Sequence, residues 1–305
     1  MTSAGTPRHV PRGVRPALDQ LAGLRRYGAQ MRRLLSLDAA RREGPRAPAA
    51  RSQGMDYADS RPYTPGDDVR RIDWRVTART GRAHTKLFEP ERGHDLYCLV
   101  DQRTPMRFGT RAAFKSLLAA EIAALAGWAA AEGANRFGAL VAGARGAQVR
   151  AGAAEGAAPA LCRLLAALEP DADAPLDELA ARAAAEAAVG TRFVVVSDFA
   201  DGEAALENAL RRLRARGEVV LVWVYDVLEA RLPPPARYPL TDGREHLLLD
   251  TASAAVRAAQ AHAVAAKRAR LARFAALPGT RCHAVRTGEE LFGALERPFL
   301  EQAPA

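Results

Sequence analysis

Two short apolar runs flank a helical pattern in FVVVSDFADGEAALENALRRLRARGEVVLVWVY, residues Phe193–Tyr225. The runs Phe193–Ser197 and Val219–Tyr225 are rich in valine and apolar at almost every position, which is typical of strands buried on both faces. Residues Ala204–Ala215 between them have the apolar spacing of a helix that covers a sheet. Because strands that alternate with helices run parallel, the stretch predicts a strand–helix–strand unit of a parallel sheet.

The same alternation extends in both directions along the chain. Further strands, including a short hairpin made by the third and fourth and an edge strand as the fifth, are predicted at Ala83–Phe88, Asp95–Val100, Phe137–Ala142, Gly146–Ala151, His246–Leu249 and Arg281–Val285. Further helices are predicted around the face Phe114, Leu117, Leu118, Ile122, Leu125 and Trp128, and at Ala157–Leu168, Leu176–Ala188, Ala252–Ala276 and Glu289–Leu300. We therefore predict the α/β class, with a doubly wound, mostly parallel sheet and helices on both faces.

One amphipathic helix is predicted ahead of this α/β region. Residues Leu18–Leu37 carry apolar side chains at helical spacing, namely Leu21, Leu24, Tyr27, Met31 and Leu34 or Leu35. A disordered tail is predicted before it, and the Pro/Arg/Ala-rich Arg41–Gln53 after it is predicted to be a linker.

Composition excludes several classes of protein. The net charge of +9 comes from arginine, and we attribute it to coding bias rather than to nucleic-acid binding. The three cysteines are far apart and form no CxxC pair, which predicts reduced, buried thiols and not a disulfide frame or a zinc site. The sequence shows neither a signal peptide nor an apolar run near the roughly 18 to 20 residues of a membrane helix. We predict a soluble cytoplasmic protein without an integral membrane segment.

Three predicted strands end in an aspartate: Asp101, Asp198 and Asp226. In an open α/β sheet, ligands bind beyond the carboxyl ends of the strands, where the strand order reverses. Carboxylates at this edge can hold Mg²⁺, or each can cap the helix that follows. We favour a helix cap for Asp226, and both alternatives stay open for Asp101 and Asp198.

Acids, bases and aromatics alternate densely in GMDYADSRPYTPGDDVRRIDWRVTARTGRAHTKLFEPER, residues Gly54–Arg92, which we call the signature module. One interpretation is a protein-docking surface, since arginine and aromatic residues are enriched at interface hot spots. The candidate partner-binding residues are Arg61, Tyr63, Pro65, Gly66, Asp67, Asp68, Arg70, Arg71, Asp73, Trp74, Arg75 and Arg79. The other interpretation is structural: the same ions hold an irregular hairpin on the first strand, shaped by Pro62, Pro65 and Gly66 and closed by Asp73 and Arg79.

Two other functions are alternatives to protein docking. Asp67, Asp68 and Asp73 could be the carboxylates of a metal-dependent hydrolase. However, each acid has an arginine close in sequence, and no nucleophile elbow, P-loop or dinucleotide-binding motif is present. A basic nucleic-acid-binding protein is the other alternative, based on Arg25–Arg33 and Arg211–Arg216, but these runs lack nearby stacking aromatics. We predict no catalysis and no nucleic-acid partner.

The signature module resembles, nearly end to end, the signature of the bacterial "domain of unknown function 58" family, and RPYTPGDDVRRIDW is its most specific part. The region from about Asp95 onward resembles the von Willebrand factor A-type domain that follows in that family. The residue patterns predict a tail at 1–17 and a helix and linker at 18–53. The resemblance implies the signature module at 54–92 and a von Willebrand A-like domain at 93–300, which leaves a tail at 301–305. It also implies a MoxR-type AAA+ ATPase or its client as partner, in a chaperone-like accessory or adaptor role in assembly, activation or metal-cofactor maturation of protein complexes.

The resemblance also implies a metal-ion-dependent adhesion site, which is degenerate in this chain. Its first motif, Asp-x-Ser-x-Ser, reads Asp101-Gln102-Arg103-Thr104-Pro105, so both serine positions have changed. Of the ligands, Asp101 and Asp198 remain, and Arg103 brings a positive charge to the place of a cation. We therefore expect no cofactor and at most weak Mg²⁺ binding, with the Arg103 guanidinium forking to Asp101 or Asp198 instead.

Overall fold

The computed structural model describes residues 9–35, 55–64, 72–90, 95–133, 135–169, 175–200, 202–241 and 246–302. The chain forms two compact units. Residues 1–38 and 94–305 make the first, which we call the α/β unit, and residues 39–93 make the second, which contains the signature module. The predicted linker Arg41–Gln53 lies outside the described residues.

The described elements follow one another in chain order. The strands are β1 (Met55–Pro62), β2 (His84–Pro90), β3 (Leu96–Asp101), β4 (Arg136–Ala142), β5 (Gln148–Ala153), β6 (Thr191–Ser197), β7 (Gly217–Tyr225), β8 (Arg237–Thr241), β9 (His246–Asp250) and β10 (Thr280–Arg286). The helices are α1 (Leu18–Gly23), α2 (Gly28–Leu34), α3 (Trp74–Thr80), α4 (Lys115–Glu132), α5 (Ala154–Ala167), α6 (Leu176–Glu186), α7 (Glu203–Arg214), α8 (Val227–Ala230), α9 (Ala254–Ala275), α10 (Leu291–Glu296) and α11 (Phe299–Gln302).

The main sheet of the α/β unit has six strands in the order β5-β4-β3-β6-β7-β10. All neighbouring strands are parallel except β4 and β5, which form an antiparallel hairpin. In the centre, Leu99 of β3 lies opposite Leu140 of β4 and Val195 of β6. The predicted α/β class, the mostly parallel sheet and the hairpin are confirmed. The order of connections reverses between β3 and β6, which is the position where open sheets bind ligands.

Both faces of the sheet are buried. Cys98 and Val100 of β3 belong to one hydrophobic core together with α4 and α5, whereas Tyr97 and Leu99 belong to a second core together with α6 and α7. Burial on both faces explains why the strands are apolar at almost every position.

The predicted amphipathic helix over Leu18–Leu37 is broken into α1, a 3₁₀ turn and α2. At the break, the indole N–H of Trp128 donates to the Leu21 carbonyl at 2.9 Å, an oxygen that a continuous helix would use itself. The apolar face, whose partner the sequence left open, is buried in the core of the α/β unit through Leu21, Leu24, Tyr27, Met31 and Leu35.

Residues His9–Gly13 pack against the rest of the α/β unit, although the sequence predicts a disordered tail there. The backbone of this segment exchanges hydrogen bonds with Ala112, Phe114 and Leu291 at 2.9–3.0 Å. The His9 Nε2 atom lies 2.6 Å from a carboxylate oxygen of Glu121. Glu121 is only 3% exposed in the middle of the apolar helix α4, so the N-terminal segment supplies the partner of a buried acid.

We expect His9→Ala to lower the free energy of unfolding by about 2–3 kcal/mol, because it leaves the buried Glu121 carboxylate without the His9 ring. Thermal unfolding followed by circular dichroism should then show a Tm lower by about 4–10 °C. His9→Gln is the matched control, since its amide can still donate a hydrogen bond. Equal melting of wild type and His9→Ala would show that this contact does not anchor the segment.

Two further predicted elements differ from the structure. The strand predicted at His246–Leu249 is present as β9, but it pairs with β8 in a separate antiparallel sheet and is not an edge strand of the main sheet. The proline-rich sequence before and within β8 hides that strand, because proline is rare in sheets. The last predicted helix, Glu289–Leu300, is divided into α10 and α11, since Pro298 holds Arg297 in an extended conformation.

Candidate functional site

The three strand-end aspartates lie at the same edge of the main sheet, after β3, β6 and β7. Asp101, Asp198 and Asp226 are 2%, 3% and 0% exposed, and buried carboxylates are costly unless they are paired or hydrogen-bonded. Their partners come from several elements of the α/β unit. We call the whole group the strand-end cluster, and it consists of Asp101, Arg103, Lys115, Ser197, Asp198, Asp226 and Glu229.

The Arg103 guanidinium forks onto Asp101, one of the two pairings that the sequence predicted. Its Nε atom donates to Oδ1 at 3.0 Å and its Nη2 atom donates to Oδ2 at 2.7 Å. The Arg103 backbone N–H also donates to Oδ1, at 3.0 Å, and the Ser197 hydroxyl donates to Oδ2 at 2.7 Å. Both oxygens of Asp101 are therefore engaged by a planar, bidentate ion pair and its neighbours.

Lys115, the first residue of α4, is a buried cation that the sequence analysis missed. Its Nζ atom lies 2.7 Å from a carboxylate oxygen of Asp198 and 2.6 Å from one of Glu229. Its side chain is 1% exposed. Burial by itself would lower the pKa of this lysine, but the carboxylates of Asp198 and Glu229 outweigh it, so the pKa is raised above its ordinary value. The sequence did contain a signal: Lys115 is one of only three lysines in the chain, and it is the first residue of a mostly apolar helix.

Asp226 caps α8, as predicted. Its Oδ1 atom accepts hydrogen bonds from the Leu228 N–H at 3.0 Å and from the Thr110 hydroxyl at 2.7 Å. Its Oδ2 atom accepts from the Thr110 N–H at 3.0 Å and from the Thr287 hydroxyl at 2.6 Å. Burial opposes ionisation of this carboxyl, but the hydrogen bonds from Thr287, Leu228 and Thr110 prevail and lower its pKa.

We expect Asp226→Asn to destabilise the protein by about 2 kcal/mol at neutral pH, because an amide cannot accept all four hydrogen bonds. The pKa of Asp226 is lower in the folded state than in the unfolded state, where it is about 3.9. The stability from the ionised carboxylate is therefore complete above that value and is lost as the pH falls through the folded pKa.

Thermal unfolding of both proteins over a pH series checks this expectation. The difference in Tm between wild type and Asp226→Asn should shrink below about pH 4. A difference that stays constant under acid conditions would show that the charge of Asp226 is not what stabilises the fold.

Two cations of α9 hold the loop that follows β6. The Lys267 ammonium donates to the Asp198 carbonyl at 2.9 Å, and the Arg270 guanidinium donates to the Phe199 carbonyl at 2.7 Å. Phe199 has a φ of 51°, a left-handed conformation that is uncommon for a residue with a side chain. Burial lowers the pKa of Lys267, and the negative charges of Asp198 and Glu229 oppose that effect. The position of Asp198 is thus supported by a helix far along the chain.

The strand-end cluster does not fit a divalent cation. Asp101 and Asp198, the two ligands that the resemblance retains, are each bound to a cation of the chain itself, Arg103 and Lys115 respectively. A metal ion between them would lie close to two positive charges, which repel it. Within the described ranges, no group of three or more His, Cys, Asp and Glu side chains is arranged to hold a metal.

In the second unit, β1 and β2 form an antiparallel pair with an irregularity between Tyr57 and Asp59. Tyr63 extends the ladder, since its N–H donates to the Ala83 carbonyl at 2.8 Å. Arg61 lies in β1 opposite Thr85. Six of the candidate partner-binding residues lie outside the described residues, namely Pro65, Gly66, Asp67, Asp68, Arg70 and Arg71.

A short helix, α3, occupies Trp74–Thr80, a part of the module where the sequence analysis predicted no helix. Asp73 begins it, because its buried Oδ1 atom accepts hydrogen bonds from the N–H groups of Arg75 and Val76 at 3.1 and 3.2 Å. Gly81 ends it with a φ of 69°, a left-handed cap that favours glycine. These two residues are an ordinary pair of helix signals, and they were overlooked because the dense charges suggested ion pairing.

The structural interpretation, in which Asp73 and Arg79 close the module, is wrong on this point, because these two side chains do not pair with each other and Asp73 caps α3. Trp74 is 70% exposed, and Arg75, Arg79 and Arg82 are exposed as well. In the described part of the chain, the guanidiniums of these three arginines make no ion pair. We call Trp74, Arg75, Arg79 and Arg82 the α3 face: an exposed indole and three exposed guanidiniums on or next to one short helix.

His84 is a half-buried residue at the start of β2. Its Nδ1 atom lies 2.7 Å from the Arg82 carbonyl and 3.2 Å from the Thr80 hydroxyl. Its backbone N–H donates to the Thr77 hydroxyl at 3.0 Å. These contacts join the end of α3 to the start of β2, so His84 has a structural explanation and needs no catalytic one.

Comparison with known proteins places the chain among proteins of unestablished function. The family described as "Protein of unknown function DUF58" matches residues 59–270. The chain is 34% identical, over 226 residues, to uncharacterized protein Rv1480 of Mycobacterium tuberculosis and equally to uncharacterized protein Mb1516 of Mycobacterium bovis. In each case the match covers 72% of this chain and 71% of the relative. Among the described helices, none combines the length and apolar character that crossing a bilayer requires.

Proposed function

We infer, from the premise that this chain belongs to the family described as protein of unknown function DUF58, that it is a non-catalytic docking protein. Its partner is a MoxR-type AAA+ ATPase, or the client on which that ATPase acts. Its role is that of an adaptor in the assembly, activation or metal-cofactor maturation of other protein complexes. The resemblance of the signature module suggests this partner, and the α3 face supports docking as the mode of action.

The observation that carries the proposal is the exposure of Trp74, 70% of whose surface is accessible. Tryptophan and arginine are among the residue types most enriched at interface hot spots. Burial of the exposed indole against a partner would remove a large apolar surface from water, which favours binding. Arg75, Arg79 and Arg82, which are exposed on the same short helix or just after it, add positive charge. The α3 face therefore matches a partner surface that has an apolar pocket for the indole and acidic side chains at the rim.

The α/β unit serves in this proposal as a von Willebrand A-like scaffold. The strand order, the antiparallel edge strand β5 and the aspartates after β3 and β6 support that assignment. The acids do not act as catalysts in the proposal, because Asp73 is a buried helix cap and Asp101 and Asp198 are bound to internal cations.

Biolayer interferometry with the purified MoxR-type ATPase of the same organism tests the proposal. We expect binding that depends on whether the ATPase holds ATP or ADP, because AAA+ proteins change conformation between these states. Failure to bind in the ATP-bound, ADP-bound and nucleotide-free states would refute the ATPase as partner. Binding to duplex DNA that weakens steeply with salt, without binding to the ATPase, would favour the nucleic-acid alternative.

A further inference from the structure

We propose that Lys115 and Arg103 are built-in cations that take the place of a divalent metal ion at the strand ends of β3, β6 and β7. The inference concerns the α/β unit alone and does not depend on the proposed partner. The strand-end cluster would then be neutralised from within and held together at any metal concentration.

The position of the Lys115 ammonium carries the argument. It lies between the carboxylate of Asp198, in the loop after β6, and that of Glu229, in the short helix α8 after β7, at 2.7 Å and 2.6 Å. At these distances the buried ammonium of Lys115 makes charge-assisted hydrogen bonds to both carboxylates. Lysine is also at an unfavourable position for the helix dipole, because it is the first residue of α4. Its carboxylate partners account for a cation at this helix end.

The remaining oxygens of the two carboxylates are also engaged. The second oxygen of Asp198 accepts the Ala200 N–H at 3.0 Å, and the second oxygen of Glu229 accepts the Asp226 N–H at 2.8 Å. Lys115 therefore links the loop after β6 to the loop after β7, which a metal ion would do through oxygen ligands. Arg103 neutralises the end of β3, since it forks onto Asp101, and Asp101 joins that end to β6 by accepting the Ser197 hydroxyl.

The formal charges of this edge balance without any added ion. Four acids and four bases from the described residues meet there: Asp101, Asp198, Asp226 and Glu229 with Arg103, Lys115, Lys267 and Arg270. A dication would add two uncompensated charges to a largely buried group, and their repulsion disfavours binding. The cluster is thus expected to be ordered constitutively and to be indifferent to chelators.

Thermal unfolding with and without divalent cations tests the proposal. We expect the Tm of the wild-type protein to be the same, within about 1 °C, in EDTA and in millimolar Mg²⁺ or Mn²⁺. Lys115→Met should melt about 10 °C lower, because the buried carboxylate of Asp198 and the partly exposed carboxylate of Glu229 both lose the ammonium between them. Millimolar Mn²⁺ should restore a large part of this loss in the variant, since the two carboxylates then offer the oxygen ligands that a hard cation prefers.

Lys267→Met is the matched control. Lys267 is the other lysine of this edge, but its ammonium donates to the backbone carbonyl of Asp198 and to no carboxylate. Its removal should therefore create no response to Mn²⁺. If Lys115→Met cannot be produced folded, Arg103→Ser replaces it: the variant places a hydroxyl beside Asp101 and Ser197, and calorimetry should detect Mn²⁺ binding that the wild-type protein lacks.

Three results would overturn the proposal. They are a wild-type Tm that rises with Mg²⁺ or Mn²⁺, a Lys115→Met variant as stable as the wild type, and a lower Tm of Lys115→Met that Mn²⁺ does not raise. If only Arg103→Ser is available, the absence of Mn²⁺ binding to it would overturn the proposal equally.

Discussion

Replacing Trp74 by alanine is expected to weaken binding to the AAA+ partner by a factor of about 30 or more, which corresponds to about 2 kcal/mol. The side chain is mostly exposed in the free protein, so its removal takes little from the fold. In a complex, the indole would be buried against the partner, and its loss would remove apolar contact area at the centre of the interface. The Kd measured by biolayer interferometry should rise, while the Tm should stay within about 1 °C of the wild-type value.

The chain offers a matched control for this variant. Val189 is 79% exposed and belongs to the α/β unit, so Val189→Ala removes an exposed apolar side chain outside the α3 face. It should leave the Kd unchanged. Arg79→Glu should weaken binding more strongly at low salt than at high salt, since it reverses a rim charge. Unchanged affinity of Trp74→Ala would exclude the α3 face as the docking site, whether or not the ATPase binds elsewhere.

The second large effect is expected in stability. Arg192→Met should lower the free energy of unfolding by about 3 kcal/mol and the Tm by about 6–12 °C. Arg192 is 5% exposed in β6. Its guanidinium binds the Glu218 carboxylate through Nε and Nη2 at 3.0 and 2.5 Å, and it donates through Nη1 to the Leu35 carbonyl at 3.0 Å.

The position of Arg192 explains why the effect should be large. Its backbone N–H donates to the Asp95 carbonyl at 2.8 Å, so one residue holds both the end of α2 and the start of β3. These are the points where the chain leaves the α/β unit and where it returns. Methionine keeps much of the apolar stem but leaves the carboxylate of Glu218 without its guanidinium partner.

Arg281→Met is the control for Arg192→Met. Arg281 also donates to the Leu35 carbonyl, at 3.0 Å, but from a partly exposed position in β10. Its replacement should cost less than half as much stability. Chemical denaturation that gives both variants the same small loss would show that the ion pair between the buried Arg192 and the partly exposed Glu218 contributes little to the fold.

The candidate site could be predicted from the sequence only in part. Asp101 and Asp198 were identified because each ends an apolar strand, and the order of parallel strands brings such ends together. The fork of Arg103 onto Asp101 was within reach because the two residues are neighbours in sequence. The ion pairs of Lys115 could not be predicted, since its partners lie 83 and 114 residues away in the sequence. A local sequence pattern does not indicate contacts between residues so far apart.

In the signature module, by contrast, the sequence analysis missed an element whose signals are local. Its helix α3 is a local element with a local start signal in Asp73 and a local stop signal in Gly81, and it could have been predicted. The density of charge instead favoured ion pairs, of which the exposed arginines of α3 make none in the described part of the chain. Spacing in sequence alone does not tell whether an acid binds a neighbouring guanidinium or the N–H groups of a helix start.

What the sequence by itself determined is the order and type of most elements and the burial of the main sheet on both faces. These follow from apolar periodicity, which is a property of neighbouring residues. Only the tertiary structure decided which charges meet: Lys115 with Asp198 and Glu229, His9 with Glu121, and Arg192 with Leu35 and Glu218. The physical reason is that electrostatic pairing depends on distance in space, and the folded sheet brings together residues that the sequence keeps far apart.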